Sequence, residues 1–84
     1  MKYKCCLADD YDPGDLSEME EVSEWDTESA AERFAEQIDI EEPFFSQNGK
    51  GEVVVLDSNG KAYKFTVNAV QIFHYRATDG QELT

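Results

Sequence analysis

Three glutamates, Glu28, Glu32 and Glu36, recur at four-residue intervals, and Asp39 continues the row. On an α-helix that spacing sets the carboxylates in one file about 6 Å apart, from about 1.5 Å of rise per residue. Asp9, Asp10, Asp12, Asp15, Glu18, Glu20, Glu21 and Glu24 precede them. The chemistry open to such an array is ionic recognition, in which fixed negative charges meet a basic surface. Like charges at i, i+4 oppose the helix by a few tenths of a kcal/mol each, so the array works against the fold that carries it.

The charge is localised. Fifteen of the nineteen acids fall between Asp9 and Glu42, where Arg33 is the only base, giving that stretch a net charge of −14. Elsewhere four acids (Glu52, Asp57, Asp79, Glu82) face six bases (Lys2, Lys4, Lys50, Lys61, Lys64, Arg76), so the rest of the chain is mildly basic. A proteome-wide acidic bias would raise acidity everywhere and does not fit. A solvated face that serves solubility alone does fit, and stands beside recognition as the alternative.

Other chemistries are thinly supported. Asp10-Tyr11-Asp12-Pro13-Gly14-Asp15, with Glu18 and Glu21 beyond, approximates a calcium loop. However, Gly14 stands where a ligand belongs, Asp15 where glycine is required, and a strand precedes it, so only weak, adventitious divalent binding over residues 10–21 is expected and no metal site is assigned. Cys5 or Cys6 with the lone His74 has the residue types of a thiolate nucleophile and its base, without a local signature. Cysteines on a core strand serve more simply as small apolar fillers. Tyr63, Phe65, Phe73 and Tyr75 have the types of a base-stacking platform but lack a positive groove, which favours core packing over direct nucleic-acid binding. Paired carboxylates are unavoidable in so acidic a chain, and 84 residues leave little cleft to desolvate a pair. No enzyme activity, catalytic residue or cofactor is expected.

The elements that must position these residues follow from periodicity. Lys2 to Ala8 alternates, Tyr3, Cys5 and Leu7 against Lys2, Lys4 and Cys6, as a half-buried strand does. Asp9 to Glu24 reads as an acidic loop pinned at Tyr11, Leu16, Met19 and Val22, with a short helical turn near Leu16 to Glu21. Asp26 is an N-cap, Trp25 is placed to staple onto Ala30, and Ala30, Ala31, Phe34, Ala35 and Ile38 share one helical face up to Pro43. Glu28, Glu32 and Glu36 then face away from it. Phe44 and Phe45 pack under the sheet or over the helix end, and Gln47 to Gly51 is loop.

Glu52 to Asp57 reads as a buried strand, and Asn59-Gly60 predicts a type I′ hairpin to a return strand with Tyr63, Phe65 and Val67 inward. The apolar phase then shifts through Val70 and Ile72 to Phe73 and Tyr75, predicting a bulge or bend near Asn68 and Ala69. The expected class is α+β: a small antiparallel sheet of three to four strands with one helix on a face, in the order β, acidic loop, α, β, β and a further β. At this length a single domain over 1–84 is expected, burying about 60 to 65% of its unfolded surface.

With 40% hydrophobic residues the chain is apolar enough to fold. It has no leader-like N-terminus and no apolar run near the roughly 20 residues that span a bilayer, and its adjacent cysteines do not make a secreted disulfide framework. A cytoplasmic protein is expected. Its charge repels anionic lipid and nucleic acid, leaving a basic protein surface as the natural partner.

In size, acidic segment and strand–helix–hairpin order, the chain resembles the small acidic inhibitors of phage and mobile elements, the anti-CRISPR and anti-restriction DNA mimics. The resemblance implies inhibition of a host nucleoprotein complex by occupying its DNA-binding surface, through the twelve acids from Asp9 to Asp39 named above, with Leu16 or Met19 adding apolar contacts. The other reading is an immunity- or antitoxin-like or accessory interaction module for a basic partner.

Overall fold

The computed structural model describes residues 1–71 and 74–83. The expected inward or outward placing of Ile72 and Phe73 lies outside the described residues. The chain forms β1 (Lys2–Leu7), a 3-10 turn (Ala8–Asp10), β2 (Glu20–Ser23), α1 (Thr27–Glu41), α2 (Phe44–Asn48), β3 (Lys50–Leu56), β4 (Ala62–Gln71) and β5 (His74–Glu82). The strands make one sheet in the order β2-β1-β3-β4-β5, each neighbour antiparallel.

The class is the expected α+β, with five strands instead of three to four. The extra strand is β2. It ends the acidic segment, where the helical turn expected near Leu16 to Glu21 is replaced by a turn closed by the Met19 N–H on the Leu16 carbonyl (3.1 Å). Pairing with β1, from Lys2 opposite Ser23 to Cys5 opposite Glu20, makes these four residues a strand.

Side-chain alternation divides the sheet into two layers. Tyr3, Cys5, Val22, Val53, Val55, Phe65, Val67, Tyr75 and Ala77 turn to one face, where Ala30, Ala31, Phe34 and Ala35 of α1 and Phe45 of α2 close the main core. The opposite face buries a smaller cluster, Cys6, Val54 and Ala62, against which Tyr11 and Met19 of the acidic loop pack. The loop is therefore a lid on the back of the sheet. Helix α1 packs against all five strands.

Asp26 caps α1 as expected, its Oδ1 accepting the Ser29 N–H at 2.7 Å. The Trp25 staple does not form, because the indole is 88% exposed. After Pro43 the chain makes one further helical turn, so α2 takes Gln47 and Asn48 from the expected loop.

The β3–β4 hairpin is present with a different turn. Of its loop residues only Gly60 has positive φ (84°), and the Gly60 N–H donates to the Asp57 carbonyl at 3.1 Å. Asp57 Oδ1 accepts the Asn59 and Lys61 amides, both at 2.9 Å, which fixes a three-residue type I turn with a glycine bulge in place of type I′. The phase shift reflects two strands with an irregular register between Ala69 and Gln71, and Val70 is 61% exposed. A second irregularity sets Phe65 against Asp79 (φ 55°) and Gly80, whose missing side chain is the space that the Phe65 ring fills.

Candidate interaction surface

The twelve candidate acids are built onto three supports. Asp9, Asp10, Asp12, Asp15 and Glu18 belong to the loop on the back of the sheet and are all exposed. Asp12 Oδ1 accepts the Gly14 N–H (2.9 Å) and Asp15 Oδ1 the Ser17 N–H (3.1 Å), so two of these carboxylates organise tight turns in their own loop. The hydrogen bonds from Ser17 hold the Asp15 carboxyl below its ordinary value. Among the described residues no group of three or more His, Cys, Asp or Glu side chains converges to hold a metal ion.

Glu20, Glu21 and Glu24 lie along the β2 edge. Because Val22 faces the helix side, Glu20 shares that side while Glu21 faces the loop side. Lys2 pairs with Glu21 at 3.3 Å, and Arg33 with Glu24 at 3.2 Å. The Lys2–Glu21 pair is exposed and the Glu24 carboxylate half-buried, and surface pairs of this kind contribute on the order of 0 to 1 kcal/mol each.

The helical row departs from its expected role. Glu28 is exposed, but Glu32, Glu36 and Asp39 are half-buried and flank β5. Glu32 Oε2 accepts the Ala77 N–H at 2.8 Å, and Asp39 accepts the Phe45 N–H (2.7 Å), the Ser46 N–H (3.0 Å) and the Tyr75 hydroxyl (2.6 Å). Two members of the supposed outward stripe thus fasten α1 to β5 and α2. The sequence does not announce this, because the donors lie up to 45 residues away. Burial first, and then the bond to Asp39, pushes the Tyr75 phenol up to about 12.

Leu16 and Met19, expected to add apolar contacts, are both half-buried, and Met19 packs against the second cluster. The exposed large apolar side chains include Trp25 (88%) and Ile40 (69%), at opposite ends of α1. The place of Trp25 just before the cap points to a staple, and nothing else in the sequence signals that the indole is exposed.

The cysteines are free and buried on opposite faces. Burial raises the Cys5 thiol to about 12 and the Cys6 thiol to about 11. Cys5 Sγ turns to the Ala30 carbonyl at 3.8 Å, whereas His74 begins β5 on the exposed surface. The two thiols are core fillers here, not thiolates. A hollow of about 450 Å³, open to solvent, lies between Leu7 and Phe44 and is lined also by Asp9 and Glu52. Compared with known proteins, the chain matches no family model, no curated protein and no solved structure.

Proposed function

We propose that the protein is a non-enzymatic acidic binding protein that inhibits a nucleic-acid-binding protein or complex by occupying its basic surface, in the manner of a DNA mimic. The observation that carries this reading is the state of the acids. Among the described residues only Glu21, Glu24, Glu52 and Glu82 have a cationic partner, while Asp9, Asp10, Asp12, Asp15, Glu18, Glu20 and Glu28 are exposed without one. Charge left uncompensated on a small domain opposes folding, and a basic partner removes that cost on binding.

The helix row alone is roughly half as dense as one DNA strand, with a charge about every 6 Å against about 3.4 Å. Its members are also partly engaged in the fold. The mimicking surface therefore centres on the loop and the β2 edge, with Glu28 contributing from the first turn of α1.

The exposed Trp25 and Ile40 favour a second reading, an immunity- or antitoxin-like or accessory module, because large apolar anchors are typical of a dedicated protein partner. Capture on the immobilised protein, followed by competition with duplex DNA, separates the two. A mimic retrieves a nucleic-acid-binding protein, loses it to added duplex, and weakens about tenfold or more between low and physiological salt. Partners without any nucleic-acid function, indifferent to DNA, are the result that removes the mimic reading.

A further inference from the structure

The two edges of the sheet are treated differently. On β5 the Ala77 N–H that points away from β4 is occupied by Glu32, and the positive-φ Asp79 with Gly80 bends the strand. Such devices close an edge to further pairing. On β2, among the described residues, no side chain occupies an outward backbone group and no positive-φ residue bends the strand, which is guarded only by its shortness and its charges. The Glu24 N–H bonds to the Met1 carbonyl at 3.0 Å, and antiparallel alternation then makes Tyr3 and Val22 the next bonded pair. Glu21 and Ser23 are left with backbone N–H and C=O groups directed outward.

Three features surround that open edge. Glu20 and Glu21 bracket it with charge on both faces of the strand. Glu24 follows, and Trp25, 88% exposed, shares a shallow hollow of about 270 Å³ with Met1, Ser23 and Glu24 at the strand's end. Edge charges alone guard against aggregation, but an exposed indole beside them does the opposite.

We propose that β2 is a docking edge for an extended, lysine- or arginine-bearing segment of the protein partner, which adds as a sixth strand. Its backbone bonds to Glu21 and Ser23, its cations meet the exposed Glu20 and compete with Lys2 for the exposed Glu21, and one apolar side chain rests on Trp25. The charge decides against a second copy of this chain as occupant, since β2 paired with itself sets glutamates against glutamates. The proposal rests on the basic-partner reading and adds the mode of contact.

The probe is a capped peptide of alternating lysine and valine, with two controls: the same peptide N-methylated at alternate residues, and a glutamate–valine analogue. Binding of the lysine peptide slows amide exchange at Glu21 and Ser23 by about tenfold or more at saturation, leaves Ala77 unchanged, and shifts the emission of Trp25, the only tryptophan, to the blue. Neither control does so. Ser23→Pro removes an outward donor without touching the β1 ladder, so the variant keeps its melting profile and loses the peptide. If that variant fails to fold, the N-methylated peptide carries the same test.

Equal binding of the N-methylated peptide, or exchange protection on α1 instead of β2, overturns the docking edge while leaving the basic-partner reading intact. Equal binding of the glutamate peptide overturns both. A concentration-dependent dimer protected at Glu21 and Ser23 assigns the edge to a second copy and ends the proposal.

Discussion

The Tyr75 hydroxyl and Asp39 Oδ2 meet at 2.6 Å across 36 residues of chain, joining the start of β5 to the last turns of α1. The same carboxylate takes the Phe45 and Ser46 amides, so one side chain fixes the helix, the short helix after it and the edge strand. Asp39→Ala leaves these donors without their acceptor and is expected to cost about 1 to 3 kcal/mol in urea unfolding. Tyr75→Phe removes a single bond, costs about 1 kcal/mol, and abolishes one late-titrating phenol in an ultraviolet titration.

Charge reversal discriminates among the helical acids. Glu32→Lys deprives the Ala77 amide of its acceptor and destabilises the fold by about 1 to 3 kcal/mol, whereas Glu32→Gln keeps an oxygen there and costs less. Reversal of Glu28, together with Asp9, Asp10 and Glu18, leaves the melting temperature unchanged or raises it, because self-repulsion falls. The same set is expected to abolish capture of the basic partner. Full retention of the partner by a folded variant removes those acids from the mechanism.

Stability is expected to fall at both ends of the pH scale, for different groups. The Ser29 hydrogen bonds lower the Asp26 carboxyl below its ordinary 3.8, so its contribution is present above that value and is lost as pH drops through the folded value. At the alkaline end, Cys5, Cys6 and Tyr75 are raised to about 12, 11 and 12 from 9.0, 9.0 and 10.0. The unfolded chain therefore releases these protons first, and stability declines progressively from about pH 9 upward. Circular-dichroism melts across pH 2 to 11 check both limbs. A flat profile above pH 9 contradicts the burial of these groups.

Backbone irregularity at the β4–β5 pairing has its own signature. A Cβ at Gly80 comes within 2.6 Å of the Phe65 ring, so Gly80→Ala forces that buried ring aside and costs about 1 to 3 kcal/mol. Asp79 holds φ at 55°, where glycine is unstrained, and Asp79→Gly is expected to be neutral or stabilising by up to about 1 kcal/mol. Opposite signs at adjacent positions in thermal melts establish the bulge.

The parts of the fold legible in the sequence were those in which local and global preferences agree. Asp26 caps α1, its alanines and Phe34 recur at helical spacing, and Asn59-Gly60 stands between apolar runs, so helix and hairpin declare themselves. Strand β2 does not, because Val22 is its only apolar residue and its conformation comes from pairing with β1. The polar end of β5, Thr78 to Glu82, is hidden for the same reason. Within the candidate surface, the loop acids were legible as a charge run. The fastening roles of Glu32 and Asp39 were not, because spacing along one helix carries no information about donors on a distant strand.

The neighbouring thiols, one peptide bond apart yet in separate layers, give this protein two independent clocks. Cys5 becomes accessible only when the α1 side opens, Cys6 when the acidic loop lifts from the back of the sheet. Alkylation that reaches Cys6 sooner than Cys5 measures the loosening of the lid apart from global unfolding, and a partner bound to the loop stops the Cys6 clock while the Cys5 clock keeps its own time.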